Sequence, residues 1–283
     1  MFRKIGVAGA GVMGVDVALD LAANGFDVVV YDSNQSVIDS LLESISDKFV
    51  QFKLFVPGYK GVSIDQIVDR ITVANDLCQF GDIDLVIENI TEDTGLKKQL
   101  YQALDKVCNE DTVFAANTSC VSITKIGSWV SKPELVLGAH LMNPVPMKEL
   151  VEVVRGTHTD ESTISNFVDF ARKWGKDPVV VNDFPGFVTN RVLMLTINEA
   201  IGVVQDAISS PSDVDKIFCT GFGHKMGPLA TGDLIGLDTI LKSLEVLYES
   251  FNDPKFRPYP LLRKMVDAGQ LGRKSGKGFF SYS

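Results

Sequence analysis

Residues 5–14 read Ile-Gly-Val-Ala-Gly-Ala-Gly-Val-Met-Gly, and this stretch decides the fold. Gly9, Gly11 and Gly14 form G-x-G-x-x-G. The residues before them read as a short buried strand and Val15 to Asn24 as a helix, the context in which the motif cradles a dinucleotide. Gly9 makes the tight turn, Gly11 admits the pyrophosphate and Gly14 lets the helix pack closely. The helix N-terminus offers the phosphates its unpaired N–H groups and the positive end of its dipole. A second strand, Asp27-Val-Val-Val-Tyr31, runs into Asp32. That acid, roughly 20 residues beyond the glycines, is placed to accept hydrogen bonds from both ribose hydroxyls. It specifies NAD over NADP, because a 2′-phosphate would meet its charge and Ser33-Asn34-Gln35 brings no Arg.

Working outward, short β-branched runs alternate with helical stretches. Strands are expected at Arg70–Ala74, Asp84–Glu88, Thr112–Ala116, Leu135–Ala139, Leu150–Val154 and Pro178–Val181. Helices are expected at Ser36–Phe52, Leu96–Cys108, Ser122–Trp129 and Asp160–Trp174. This alternation predicts an α/β, Rossmann-type, mostly parallel sheet, with room for a late antiparallel strand. The interval from Ser36 to Asp69 is long for one crossover and reads as a helical excursion broken at Pro57-Gly58. After Asn182-Asp183-Phe184-Pro185-Gly186 the pattern is helical throughout. We therefore expect a dinucleotide-binding domain over residues 1–184 and a smaller all-α domain over 185–283 for substrate and dimerisation.

Composition narrows the function. At 283 residues the chain can build more than one core, and its hydrophobic fraction of 45% belongs to a globular protein. A net charge of −9 argues against nucleic acid as a partner, since phosphate backbones call for a basic face. No stretch reads as a membrane span. The start, Met-Phe-Arg-Lys before apolar residues, superficially suggests a signal peptide, but interrupting glycines and the following Asp16 and Asp20 oppose it. The four cysteines lie far apart without metal-like spacing, so no metal site is expected and reduced thiols in the cytoplasm are.

Asn117-Thr118-Ser119 follows a buried strand, where ligands of open α/β sheets sit; alone, such a triplet is an ordinary helix cap or turn. His140 ends the next strand, and Glu152 lies in the otherwise apolar run after it. A lone histidine there would commonly be structural, and a lone buried carboxylate would be costly. Pairing them resolves both, because the carboxylate fixes the imidazole tautomer and supports its protonated form.

With these residues in place the chain resembles the short-chain L-3-hydroxyacyl-CoA dehydrogenases of the bacterial 3-hydroxybutyryl-CoA dehydrogenase type. The resemblance spans nearly the whole length. It adds Pro185-Gly186-Phe187 with Asn190-Arg191, Met226-Gly227-Pro228-Leu229, Gly236-Leu237-Asp238 and the closing Gly272–Phe279 segment. It implies NAD-dependent interconversion of a 3-hydroxyacyl and a 3-oxoacyl thioester. In that reading His140 is the base, Glu152 orients it, and Ser119 and Asn190 bind the reacting oxygen and thioester region. Cofactor contacts are implied for Gly9, Gly11, Gly14, Asp32, Glu92, Lys97, Ser119, Asn143 and, on a looser match, Lys264. A homodimer is expected.

Three departures concern the thioester handle. Leu141-Met142 follows His140 where the family commonly has aromatic residues, and Met147-Lys148-Glu149 adds an acid after Pro146. Between Ser33 and Gly58 the only lysines are Lys48 and Lys53, where the family is usually Lys-rich. An acyl carrier protein in place of CoA, carrying for instance a glyceryl unit for polyketide extension, is therefore the alternative handle. A non-catalytic, crystallin-like binding protein is the alternative from another class.

Overall fold

The computed structural model describes residues 2–282, and the chain divides into two compact units, Met1–Asp183 and Phe184–Ser283. In unit 1 the strands are β1 (Lys4–Ala8), β2 (Asp27–Tyr31), β3 (Ile71–Val73), β4 (Leu85–Glu88), β5 (Val113–Ala116), β6 (Val136–Leu141), β7 (Leu150–Arg155) and β8 (Asp177–Asn182). They form one sheet in the order β3-β2-β1-β4-β5-β6-β7-β8. Every neighbouring pair is parallel except β6 and β7. The sheet is therefore the mostly parallel Rossmann-type sheet expected, with its reversal at β7. The order changes direction between β1 and β4, which opens a crevice at the carboxyl ends of those strands.

The helices of unit 1 are α1 (Val12–Ala23), α2 (Gln35–Asp39), α3 (Leu41–Phe52), α4 (Ile64–Val68), α5 (Thr94–Val107), α6 (Ile123–Gly127) and α7 (Glu161–Lys173). The continuous helix expected over 36–52 is broken instead at Ser40, whose hydroxyl donates to the Ser36 and Val37 carbonyls at 3.1 and 3.2 Å. A serine that bonds back onto the preceding turn competes with helix propagation. The excursion is present as α2 to α4, and α3 turns Leu41, Ile45, Phe49 and Phe52 into the same core as α1. Strand β6 runs two residues past the expected Ala139, so His140 lies inside it rather than at its end. The antiparallel ladder with β7 carries pairing through Leu141↔Val151 and so prolongs the strand.

Helix α1 lacks the one-sided pattern of a surface helix. Gly14 through Ala22 are all buried, including Asp16 and Asp20. Each acid has a lysine: Lys48 of α3 lies 3.0 Å from Asp16, and Lys176 lies 2.6 Å from Asp20. Lys176 also donates to the carbonyls of Val145 and Lys148 at 2.7 and 3.1 Å. Tyr59, from the excursion, donates to Asp20 at 3.0 Å. One buried cluster thereby ties α1 to the excursion and to the segment between β6 and β7.

Unit 2 consists of α8 (Thr189–Gln205), α9 (Pro211–Phe222), α10 (Pro228–Ile235), α11 (Leu237–Phe251) and α12 (Pro260–Asp267), with a core centred on Ile197, Ile201, Leu229, Ile240, Leu244 and Phe256. The carboxylate of Asp215 accepts the Leu229 and Ala230 N–H groups at the start of α10. Asp233, fully buried, accepts from the N–H groups of Phe279 and Phe280 and from the Tyr282 hydroxyl, which pins the C-terminal segment to the same helix.

Replacing Lys176 with Met should strand the Asp20 carboxylate and destabilise unit 1 by about 3–5 kcal/mol, the usual consequence of breaking a buried pair. Burial already pushes the Asp20 carboxyl up, while Lys176 and Tyr59 pull it back. Without the ammonium, its folded pKa would lie further above its unfolded one. Stability is then kept on the acid side and lost as pH rises through that interval, so the deficit should be larger near pH 8 than near pH 5. Denaturant melts followed by the fluorescence of buried Trp174, 5.0 Å below the Lys176 ammonium, measure it. A deficit independent of pH would contradict this account.

Candidate active site

The glycine loop leaves β1 at the crevice. Gly9 has φ +97°, and a Cβ there would press on the Asn89 carbonyl carbon at 2.8 Å. A Cβ on Gly14 would overlap the Gly9 carbonyl oxygen, whereas one on Gly11 would meet only open space. Two glycines thus fit the loop against its own fold, and the third leaves room for a pyrophosphate over the start of α1. Asp32 accepts the Ala10 N–H at 2.7 Å on one oxygen and the Asn34 N–H at 2.8 Å on the other. It braces the loop and retains acceptor capacity on both oxygens for ribose hydroxyls. Beside it lies a cleft of about 460 Å³ whose walls include Gly11, Asp32, Leu77, Ile90, Leu96 and Leu100. The residues present fit a dinucleotide.

Further along the carboxyl edge of the sheet, His140 and Glu152 are direct partners in the β6–β7 ladder, so their side chains leave the same face. His140 Nδ1 lies 2.7 Å from Glu152 Oε2, and both residues are more than nine-tenths buried. A carboxylate only accepts, so Nδ1 carries a proton, and in the neutral imidazole the lone pair then belongs to Nε2. That Nε2 is 3.1 Å from the Ser119 hydroxyl. This geometry is one that can serve as a base, a group that orients it and a hydroxyl beside Nε2.

The loop carrying Ser119 is held from beneath. Glu92 accepts the Ser119 N–H at 2.7 Å and the Thr118 hydroxyl at 2.7–2.9 Å. Lys97 is fully buried; its ammonium donates to both oxygens of Glu88 at 2.8 Å and sits 3.6 Å from Glu92. Lys97, expected from the resemblance to lie at the cofactor, turns its charge toward Glu88 and Glu92. Burial pushes the Glu88 carboxyl up, and Lys97 with the Ile90 N–H pulls it back.

Asn143 is exposed just past β6. Asn190 is half-buried in the first turn of α8, and Lys264 is exposed in the last turn of α12, both in unit 2. Sequence reasoning passed over Glu88, and it named Asn117 and Thr118 only as parts of a triplet. Asn117 joins three strand ends, donating to Asn89 at 2.7 Å and accepting from the Leu141 N–H at 3.1 Å. The signal for Glu88 was present: a carboxylate closing the apolar run Leu85-Val86-Ile87 is the same anomaly that singled out Glu152. Among the described residues no group of His, Cys, Asp and Glu has the makings of a metal site, and no helix is long and apolar enough to cross a membrane.

Residues 4–184 match the sequence profile described as 3-hydroxyacyl-CoA dehydrogenase, NAD binding domain, and residues 186–282 match that of the C-terminal domain. A probable 3-hydroxybutyryl-CoA dehydrogenase of Deinococcus radiodurans is 44% identical over 279 residues, covering 99% of this chain and all of the relative. The 3-hydroxybutyryl-CoA dehydrogenase of Clostridioides difficile is 41% identical, with 99% of each chain covered. The crystal structure of the (S)-3-hydroxybutyryl-CoA dehydrogenase of Ralstonia eutropha superposes with a TM-score of 0.94 at 36% identity, covering 100% of both chains.

Asp32 generates the first functional prediction. Asp32→Ala should lower kcat/KM with NAD roughly 10- to 100-fold, the scale of a hydrogen bond to a charged group, and leave the poor NADP reaction little changed. Steady-state kinetics with both dinucleotides decide it. Equal efficiency with NADP in the unaltered protein would remove Asp32 from the ribose.

Proposed function

The chain belongs to the 3-hydroxyacyl-CoA dehydrogenase family, and from that premise we propose that His140, Glu152 and Ser119 carry out the oxidation of a short 3-hydroxyacyl-CoA, with 3-hydroxybutyryl-CoA as the reference substrate. It is an NAD-dependent enzyme. Bound NAD supplies the acceptor for the hydride that leaves C3 of the substrate. His140 takes the C3 hydroxyl proton on Nε2, which becomes the second N–H of an imidazolium. Glu152, 2.7 Å from Nδ1, carries the compensating charge. Ser119 holds the substrate oxygen beside Nε2 as it turns from hydroxyl to carbonyl. The His140–Glu152 contact is the observation that carries this reading. Asn190, on α8, is assigned to the acyl thioester by resemblance, as are Asn143 and Lys264 to the cofactor.

His140→Gln should reduce the chemical step by about 10²–10⁴, the range of a positioned acid–base group, while NADH binding stays within a factor of a few. Glu152→Gln should act in the same direction. Single-turnover rates with 3-hydroxybutyryl-CoA, alongside NADH titrations, separate the steps. Near-complete retention of the chemical step in His140→Gln would move the base elsewhere.

A second reading concerns the handle. Of the two lysines between Ser33 and Gly58, Lys48 pairs with Asp16 at 3.0 Å and Lys53 lies 5.1 Å from the centre of the Phe49 ring. Val50, Leu54 and Phe55 are exposed beside them. This surface favours a handle held without its 3′-phosphate, as on the phosphopantetheine arm of a carrier protein. Matched acyl groups on CoA and on dephospho-CoA should then give kcat/KM values within about threefold of each other. A loss of tenfold or more on dephosphorylation, removed by salt as screening predicts, would assign the substrate to CoA alone. We also assign the chain to a homodimer formed through unit 2, where Val192, Ile208, Ile217, Phe222 and Leu234 are more than half exposed.

A further inference from the structure

The mechanism needs the Ser119 hydroxyl beside His140, and Ser119 stands on a loop, the least rigid kind of support. What makes this loop rigid lies below it. The stretch from the end of β5 to the start of α6 presents the N–H groups of Ser119, Cys120 and Val121. The first goes to Glu92 at 2.7 Å, the third to the Thr118 hydroxyl oxygen at 3.0 Å, and the second approaches that oxygen at 3.4 Å. Thr118 is 2% exposed, and its hydroxyl hydrogen is given to Glu92. Glu92 thus gathers the loop through one carboxylate, taking one bond from the backbone of Ser119 and one from the side chain next to it. The carboxylate is anchored in turn by Lys97 at 3.6 Å, which is locked to Glu88. At its far end the loop is fixed by Asp183, which accepts from the Ser122 hydroxyl at 2.7 Å and the Thr124 N–H at 2.8 Å.

We propose that Glu92 and Thr118 form a positioning pair that sets the Ser119 hydroxyl against His140, so that Glu92 serves the chemical step and not only the cofactor. The proposal rests on the reading of Ser119 and His140 as the reacting site. Displacing a reacting group by about 1 Å can cost 10²-fold, and releasing this pin frees the backbone N–H of the residue whose hydroxyl is at stake. Thr118 supplies the means of separating the two roles of Glu92. Its hydroxyl is used up by Glu92 and by the loop N–H groups, so its removal loosens the loop while the Glu92 carboxylate, still held by the Ser119 N–H and Lys97, stays in place for the cofactor.

The test compares Thr118→Val, Thr118→Ser, Glu92→Gln and the double variant Glu92→Gln/Thr118→Val in the full chain. Thr118→Val should lower the single-turnover rate 10- to 100-fold with the NADH Kd and the substrate KM within twofold of the parent. Thr118→Ser, which keeps the hydroxyl, should recover to within threefold. Glu92→Gln should show a comparable loss in rate, and the double variant should be no slower than the worse single one, the signature of two residues acting as a unit. A parental rate in Thr118→Val, with Glu92→Gln weakening NADH tenfold but keeping its rate at saturating NAD, would overturn the proposal and leave Glu92 a cofactor contact. Should Thr118→Val fail to fold, Glu92→Gln decides by the same split between rate and NADH Kd. Ser119→Ala separates the two levels of inference. If it too is parental, the site reading has failed; if it is impaired while Thr118→Val is parental, only the positioning pair has.

Discussion

A carboxylate taken out of water must find hydrogen-bond donors or a cation, and in unit 1 that requirement organises both the core and the site. Glu152 has His140, Glu88 has Lys97, Asp16 has Lys48 and Asp20 has Lys176. None of these acids is more than 3% exposed. Each pair joins different parts of the chain, and each would be expensive to leave half-made. The consequence is geometric as much as energetic. Charged partners with short contacts fix the separation of the elements that carry them, where apolar packing alone would tolerate small slips.

The reversal of β7 shows why the pairing works at the site. In the parallel part of the sheet, functional side chains come from loops beyond the strand ends. An antiparallel neighbour instead places a residue of one strand opposite a residue of the next, and here that pair is His140 and Glu152. His140 and Glu152 therefore stand on the ladder, whereas Ser119 stands on a loop. The chain gives that loop the reinforcement of Glu92 and Thr118.

Much of this was legible in the residues. The glycine pattern followed by Asp32 announced the crevice, and the β-branched runs located the strands, because apolar periodicity is a local property. The oddity of Glu152 in an apolar strand located the His140 pair for the same reason that it forms: a buried carboxylate calls for a donor, and His140 stands opposite it in the ladder. The break at Ser40 was not legible, since a back-bonding serine and an exposed helical serine look alike in sequence. Nor was the fate of Lys97. A lysine on an amphipathic helix ordinarily faces solvent, and only the fold reveals that Glu88 waits for it at the end of a strand nine residues earlier. Nor does the sequence show that Asp16 and Asp20 lie within the core, since their lysines come from positions distant in the chain.

The support beneath Ser119 is made by the chain itself: Glu92, Thr118 and the N–H groups above them bond to one another. The conformational entropy of ordering that loop is thus spent when the protein folds and does not recur at each turnover. On the role proposed for Ser119, the dipoles around the substrate oxygen are preorganised, so little solvent or backbone reorganisation is left inside the barrier. The activation entropy of the chemical step, on this footing, reflects the motion of substrate and nicotinamide more than that of the enzyme.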